Sequence, residues 1–387
     1  MRHAQWERPA PVVAVPLLAW GTRPGKGFLM GETHSVTIAD VAALAEVSIG
    51  TVSKALNGRG QLRAETRERV QAAAEQLDFQ PNPLAQGLLS GRSYTVGLIT
   101  TDSFGRFTIP VMLGAEDALG EGKVSALLCD GRGDPIREQH YVRTLLSRKV
   151  DGIIVTGRRT DPRPPIASDL PVPVVYVMTQ SQDPDELSLI PDDEQGGELA
   201  MRHLVTGGRT RVAHVTGPER FLSARQRAAG ARKVLADAGL DFAAGQVLYG
   251  EWSEEWGRQA AHTVLHAAPG TEAIFCGSDQ IARGVTDALR DAGLRVPDDV
   301  ALVGYDNWDV FATTSRPPLT TVDMCLKELG QLAARKLLDD IGGRPSHGLH
   351  KLACRLVIRE STGARRILQP AAGPAAPGSV AAQTQDT

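Results

Sequence analysis

The stretch Ser48-Ile49-Gly50-Thr51-Val52-Ser53-Lys54 sets small and hydrogen-bonding side chains along a short helical pattern whose apolar positions are Val52, Ala55 and Leu56. A second helix of a helix-turn-helix enters the major groove with its N-terminal residues leading, which would place Ile49, Gly50, Thr51, Ser53 and Lys54 at a duplex. Ile49 offers only an apolar contact such as packing on a thymine methyl, Gly50 permits close approach, and Lys54 can donate to guanine O6 and N7. Thr51 and Ser53 suit hydrogen bonds to phosphate or base.

Other chemistries fare worse. The cysteines at 129, 276, 325 and 354 stand far apart, form no C-x-x-C pair, and read as buried, reduced core residues. The nine histidines are scattered; His140, His203, His214 and His262 lie in helix or strand patterns without paired ligand spacing. There is no G-x-S-x-G elbow, P-loop or H-E-x-x-H, and the Gly-rich piece DGRGD lacks the strand-loop-helix frame of a dinucleotide site. The sequence therefore predicts no catalytic residue, no metal ligand, no cofactor and no enzyme.

The elements that would carry the Ser48 stretch are three short helices. Thr37 and Asp40 have the spacing of a capping box ahead of Val41, Ala42, Leu44 and Ala45. Ser48 caps the second helix and Asn57-Gly58 ends it, while a third spans about Ala64 to Leu77 and buries Val70, Ala73, Ala74 and Leu77. Net charge is −3 for the chain, and over residues 36–94 six basic side chains face six acidic ones, so phosphate attraction must come from local placement of Lys54, Arg59 and Arg63. Asn82 is a good N-cap with Pro83 at the first helical position, but Gly87 and Gly91 limit any helix there to about two turns, too short to be stable alone.

From Tyr94 onward apolar strand patterns alternate with amphipathic helices, the texture of parallel sheets covered on both faces. Strands are predicted at 95–100, 124–130, 152–157, 173–178, 211–217, 273–279, 300–306 and 355–361. Eight strands suggest two Rossmann-like lobes, with ligands at the carboxyl ends of the strands, in the cleft between them. The expected division is 1–35, a disordered extension or a start placed before a true Met30; 36–80, the helical headpiece; 81–94, hinge helix and linker; 95–364, the core; and 365–387, a disordered tail rich in Ala, Gly, Pro, Ser and Gln. Within the core the first lobe takes about 95–191 and 322–345 and the second about 192–318 and 350–364, with the change near Pro191-Asp192 and returns near Pro317-Leu319 and His347-Leu352.

VTIADVAALAEVSIGTVSKALN, followed by TRERV, LDFQPN and AQGLL, closely resembles the headpiece and hinge of the lactose-repressor (LacI/GalR) family of bacterial transcription regulators, without a gap over about 58 residues. The rest, to about Gly363, resembles that family's periplasmic-binding-protein-like core more diffusely. The resemblance implies an α/β chain with a three-helix helix-turn-helix headpiece, a hinge helix and a two-lobed core of parallel-sheet subdomains. It implies DNA contacts from Thr37, Ser48, Ile49, Gly50, Thr51, Ser53, Lys54, Asn57 and Arg63, with Ile49, Gly50 and Lys54 where family members choose their operator. Arg63 departs from the usual Ser or Asn cap. The hinge residues Asn82, Ala85 and Leu88 would act in a minor groove, where Leu88 occupies the position of a leucine wedged into a central base step.

In the core the resemblance points to a ligand cleft in which Arg227 and Asp306 match family contacts, Ser278 and Asp279 end a strand at the same mouth, Trp252 could stack on an apolar sugar face, and Phe104 lines the opposite lobe. Family members often carry Asp or Asn near Met178-Thr179; here the residue is apolar. Arg227→Ala is expected to abolish a ligand response and leave unliganded DNA binding nearly intact. The expected function is a ligand-responsive regulator, a repressor, binding a pseudo-palindromic operator on double-stranded DNA as a homodimer in the cytoplasm, with a sugar-like effector and no membrane partner. No C-terminal leucine heptad predicts a tail-built tetramer. The alternative, a solute-binding protein of the same two-lobed fold, would need an export signal and no headpiece.

Overall fold

The computed structural model describes residues 36–56, 61–79, 92–121 and 124–363. The chain divides after Asn82 into two compact units. The expected extension before residue 36, Asn57, the hinge residues Asn82, Ala85 and Leu88, and the tail after 363 lie outside the described residues.

The first unit contains α1 (Ile38–Leu44), α2 (Ile49–Leu56) and α3 (Ala64–Gln76). Thr37 donates from its backbone N and from Oγ1 to the Asp40 carboxylate, each at 2.7 Å, closing the start of α1. The Ser48 hydroxyl accepts from Thr51 N at 3.2 Å at the start of α2. Arg63 stands at the N-cap of α3 and makes no side-chain cap bond. With a side chain that only donates, it leaves the first amides of α3 without the usual acceptor. Val41, Ala45, Val52 and Val70 form the fully buried centre of this unit, one small apolar side chain or two from each helix.

The second unit holds two parallel-sheet lobes. In the first, β1 (Thr95–Thr100), α4 (Thr108–Glu121), β2 (Ser125–Asp130), α5 (Pro135–Ser147), β3 (Gly152–Thr156), β4 (Pro162–Arg163), β5 (Val174–Val177), β6 (Gln180–Ser181) and β7 (Leu187–Pro191) run in succession. The second lobe has α6 (Asp193–Thr206), β8 (Val212–Thr216), α7 (Leu222–Asp237), β9 (Leu248–Tyr249), α8 (Glu254–Ala267), β10 (Ala273–Cys276), α9 (Asp279–Asp291), β11 (Ala301–Tyr305), α10 (Asp309–Ala312) and β12 (Thr320–Asp323). The chain returns to the first lobe for α11 (Leu326–Ile341) and β13 (Leu349–Leu352), and ends its described part in the second with β14 (Arg355–Val357).

The sheets have the orders β13-β7-β5-β3-β1-β2 and β14-β12-β11-β10-β8-β9. All pairs are parallel except β12 with β14. Alternation along buried strands feeds two cores: Leu98 and Ile154 pack beneath α4 and α11, whereas Ile99, Ile153 and Val155 turn toward α5. Helices α4 and α11 touch backbone to backbone, because Cβ atoms at Gly114 and Gly330 would meet the carbonyls of Lys327 and Val111 at 1.9 and 2.0 Å.

Besides the short β4–β6 pair, four strands of the two six-stranded sheets departed from the apolar-run reading. β7 is a short run closed by proline, β9 is two residues long, and β13, LHKL, is a largely exposed edge strand with no apolar stretch. β12, TTVD, looks like a loop, yet Thr320 and Thr321 are fully buried. Their hydroxyls are satisfied, Thr320 Oγ1 donating to Arg359 O at 3.1 Å and Thr321 Oγ1 to Asp279 at 2.6 Å. Because β12 pairs with β11 and β14, the return to the first lobe falls between Asp323 and Leu326 rather than near Pro317-Leu319. The first lobe's returning segment is thus α11 through β13, not 322–345, and the second lobe resumes after Leu352. The strand expected over 355–361 stops at Val357, and Glu360–Thr362 is a 3-10 turn.

The described cysteines form no disulfide; Cys129 is only half-buried, contrary to the expectation for all four. No helix of the described residues is long and apolar enough to cross a membrane. Among the described residues no His, Cys, Asp and Glu group could hold a metal ion.

Candidate functional site

On the headpiece, α2 buries Val52 and Ala55 and leaves its N-terminal residues outward. Ser48, Ile49, Gly50 and Lys54 are exposed, and Thr51 and Ser53 are half-buried. Ile49 keeps 51% of its surface in water, a large apolar side chain that the three-helix core does not use. Thr37 and Arg63 are exposed as well.

The second unit contains a cleft of about 740 Å³ between the lobes. Its walls are the loops that follow β1, β3 and β5 on one side and β8, β9, β10 and β11 on the other, as expected for open parallel sheets. Phe104, Arg227, Trp252, Ser278 and Asp306 all line it. Met178, at φ 56°, lines it too and presents an apolar side chain there. Asp279 does not. The next residue after Ser278 turns under the cleft, where its carboxylate is fully buried and accepts from Thr321 Oγ1 at 2.6 Å and Trp308 N at 2.8 Å. Burial, then the neighbouring Asp306 carboxylate, push Asp279 up to about 8. Asp279 is a strut for the loop that carries Asp306 and Trp308. Ser278 caps α9, its hydroxyl accepting from Ile281 N at 3.1 Å.

Arg227 sits in the second turn of α7 and is 5% exposed. Its Nε donates to Asp193 Oδ1 at 2.8 Å and its Nη1 to Gly277 O at 2.6 Å. The guanidinium lies over the Tyr305 ring at 3.6 Å and reaches within 3.7 Å of Asp306 Oδ1. Burial works against its charge, but Asp193, Tyr305 and Asp306 together raise its pKa. Trp252 lies 5.7 Å from the same guanidinium and flat against Gly217, where an added Cβ would meet Trp252 Cε2 at 2.1 Å.

Asp306 follows β11 directly with φ 106° and is itself followed by Asn307 at φ 51°, two consecutive side-chain-bearing residues with positive φ. The turn is held by Asp279 on Trp308 N and by Arg359, which donates to Asn307 Oδ1 at 2.8 Å. Burial raises the pKa of Asp306 while Arg106 and Arg227 pull it down. Arg106 comes from the loop after β1, so its ion pair with Asp306 joins the two lobes across the cleft. Its guanidinium also stacks over Trp308 at 4.5 Å. Leu222 N donates to Asp161 at 2.9 Å and makes a second link between lobes.

Sequence reading missed Arg106, Asp193, Trp308, Arg159, Arg220 and Phe221. Arg159, from the first lobe, and Arg220, from the second, both lie against the Phe221 ring, at 4.7 and 4.6 Å. The signal for these two was present as a surplus of loop arginines after predicted strands, in TGRRT and GPER.

Residues 37–82 match the model of bacterial regulatory proteins of the lacI family, and residues 201–362 match a periplasmic binding protein-like domain. The HTH-type transcriptional regulator CelR of Thermobifida fusca is 34% identical over 341 residues, covering 86% of this chain and 100% of CelR. A lac repressor dimer bound to operator and the anti-inducer ONPF superposes with a TM-score of 0.66 at 30% identity, over 84% of this chain and 99% of the repressor chain. A CelR-cellobiose complex superposes at 0.60 with 30% identity, over 84% and 99%.

Proposed function

Because the chain belongs to the lacI family of bacterial regulatory proteins, we propose that it represses transcription by binding a pseudo-palindromic operator as a homodimer and that a small sugar-like effector in the interlobe cleft alters its DNA affinity. The observation that carries the proposal is the pairing of an exposed, unused recognition face on α2 with a cleft whose walls come from both lobes of the second unit. The solved lac repressor is a dimer on operator, and the CelR complex contains cellobiose, which supports both halves of the reading.

In this proposal Ile49, Gly50 and Lys54 select bases, while Thr37, Ser48, Thr51, Ser53, Asn57 and Arg63 hold register on the phosphates. Asn82, Ala85 and Leu88 enter on the sequence alone, as a hinge that forms on DNA and wedges the minor groove. Arg227 and Asp306 read ligand hydroxyls, Trp252 and Phe104 supply apolar faces, and Ser278 lends a hydroxyl at the mouth. A ligand that bridges the lobes favours whichever lobe arrangement it fits best, and only that difference in affinity can move the DNA equilibrium. The relatives are transcription regulators, which agrees with this reading and with a cytoplasmic place of action.

Selection of binding sites from random DNA by the full chain tests the proposal. Recovery of a two-fold symmetric site with a fixed half-site spacing is the expected result. Unrelated recovered sequences, or binding as tight to random DNA, would refute it.

A further inference from the structure

We propose that the effector of this chain is anionic, a polyhydroxylated ligand bearing a carboxylate or phosphate that is gripped by Arg159 and Arg220 at the mouth of the cleft. The inference rests on the cleft reading above and narrows its ligand class.

The cleft is lined by five arginines against three carboxylates. Two of the acids are already engaged. Asp102 accepts from the backbone N of Phe107 and Thr108 at 2.8 and 3.1 Å, and Asp306 is paired with Arg106 and Arg227. Only Glu251 remains as an exposed acid. On the basic side, Arg158, Arg159 and Arg220 are exposed, and among the described residues none of the three makes an ion pair. A neutral sugar would leave that surplus uncompensated. A planar guanidinium fork matches carboxylate and phosphate oxygens, and such charge-assisted bonds are the strong ones.

The placement adds a second argument. Arg159 and Arg220 belong to different lobes yet lie on one ring, Phe221, at 4.7 and 4.6 Å. The ring attracts each cation and orders it, and two like charges held on one ring from opposite lobes oppose closer approach of those lobes. An anion between them reverses the sign of that interaction and favours lobe closure. The ligand's charge would thereby act on the same interlobe equilibrium that the proposed regulation needs, while Trp252 and Trp308 deeper in the cleft accommodate its ring.

The test titrates the full chain by calorimetry with matched triples: a neutral sugar, its sugar acid and its sugar phosphate, across several pentoses, hexoses and disaccharides, with inorganic phosphate alone beside them. The expected result is that the acid or the phosphate of a triple binds at least about 10-fold more tightly than its neutral parent. That advantage should shrink as salt rises, and Arg159→Gln and Arg220→Gln should each reduce it by about 10-fold. Arg143→Gln, exposed on α5 and outside the cleft lining, serves as the charge control and should keep the advantage. Which member wins distinguishes carboxylate from phosphate. A neutral sugar binding most tightly, or an anionic preference surviving both cleft substitutions, overturns this inference and leaves ligand sensing intact. Inorganic phosphate binding as tightly as every sugar phosphate overturns it too, since the polyol would then contribute nothing. Binding by no member of any triple overturns both this inference and the effector reading.

Discussion

Replacing Arg227 with Met should damage the protein's stability as well as any ligand response. Asp193 is fully buried and has three partners: Arg227 Nε at 2.8 Å, Tyr305 OH at 3.1 Å and Thr160 Oγ1 at 3.4 Å. Without the guanidinium, a buried carboxylate keeps only two neutral hydroxyl donors, and breaking such a pair from one side costs about 3–5 kcal/mol. Asp306 keeps Arg106 and is affected less. At about 2–4 °C per kcal/mol for a domain of this size, the loss is a fall in Tm of about 6–20 °C. Arg227→Met combined with Asp193→Asn removes the stranded charge while Tyr305 keeps its acceptor, so the double variant should recover about 2–3 kcal/mol of the single variant's loss. Urea unfolding followed by tryptophan fluorescence, with Trp6 and Trp20 replaced by Phe in every variant, reads this, since Trp252, Trp256 and Trp308 all lie in the second unit. A single-variant loss below about 1 kcal/mol, or strictly additive single and double effects, would refute the assignment of Arg227 and Asp193 as a coupled buried pair.

Ile49→Ala and Lys54→Ala should leave the headpiece folded, because neither side chain enters its core. Each should relax base preference at one half-site position, by about 1–3 kcal/mol in discrimination for Lys54, as read by competition among operator variants. Leu88→Ala should weaken specific operator binding far more than non-specific binding in a salt-matched gel shift, and equal losses on all sequences would remove the minor-groove wedge from the account. His214 is fully buried, its Nδ1 2.8 Å from Phe275 O, and burial lowers its pKa to about 4. A base whose pKa falls on folding stabilises fully above its unfolded value and loses that contribution as pH falls toward the folded one. Between about pH 6.5 and 4 the chain should therefore lose about 3 kcal/mol through this group. Thermal melts of His214→Phe should show a correspondingly shallower acid slope.

The headpiece was legible because its signals are local. Capping at Thr37 and Ser48, and the spacing of Val52 and Val70, need only neighbours in the chain. The lobes were legible as apolar runs at most of their buried strands but failed at β7, a buried run cut short by proline, and at β12, whose buried threonines look polar until Ser361, Arg359 and Asp279 supply partners from elsewhere. The cleft residues picked from strand ends do converge, since parallel strands deliver their carboxyl ends to one edge. Asp279 was misplaced by one position: Ser278 faces the cleft and its neighbour turns beneath it. The Arg106–Asp306 link spans 200 residues, and although TGRRT and GPER each show loop arginines, their convergence on Phe221 from separate lobes is not a local pattern. The Arg227–Asp193 pair itself was not legible, because Asp193 looks in sequence like an ordinary first-turn acid of α6.

The central claim is that occupancy of the cleft is coupled to DNA binding. The most direct measurement is the operator affinity of the full chain, by fluorescence anisotropy at fixed salt on the selected site, without ligand and then with a saturating ligand that calorimetry shows to bind. The account predicts a change of about 5–150-fold, the range of coupling energies between linked sites, and loss of that change when Trp252 and Asp306 are replaced. Identical operator affinity with the cleft empty and filled would contradict it.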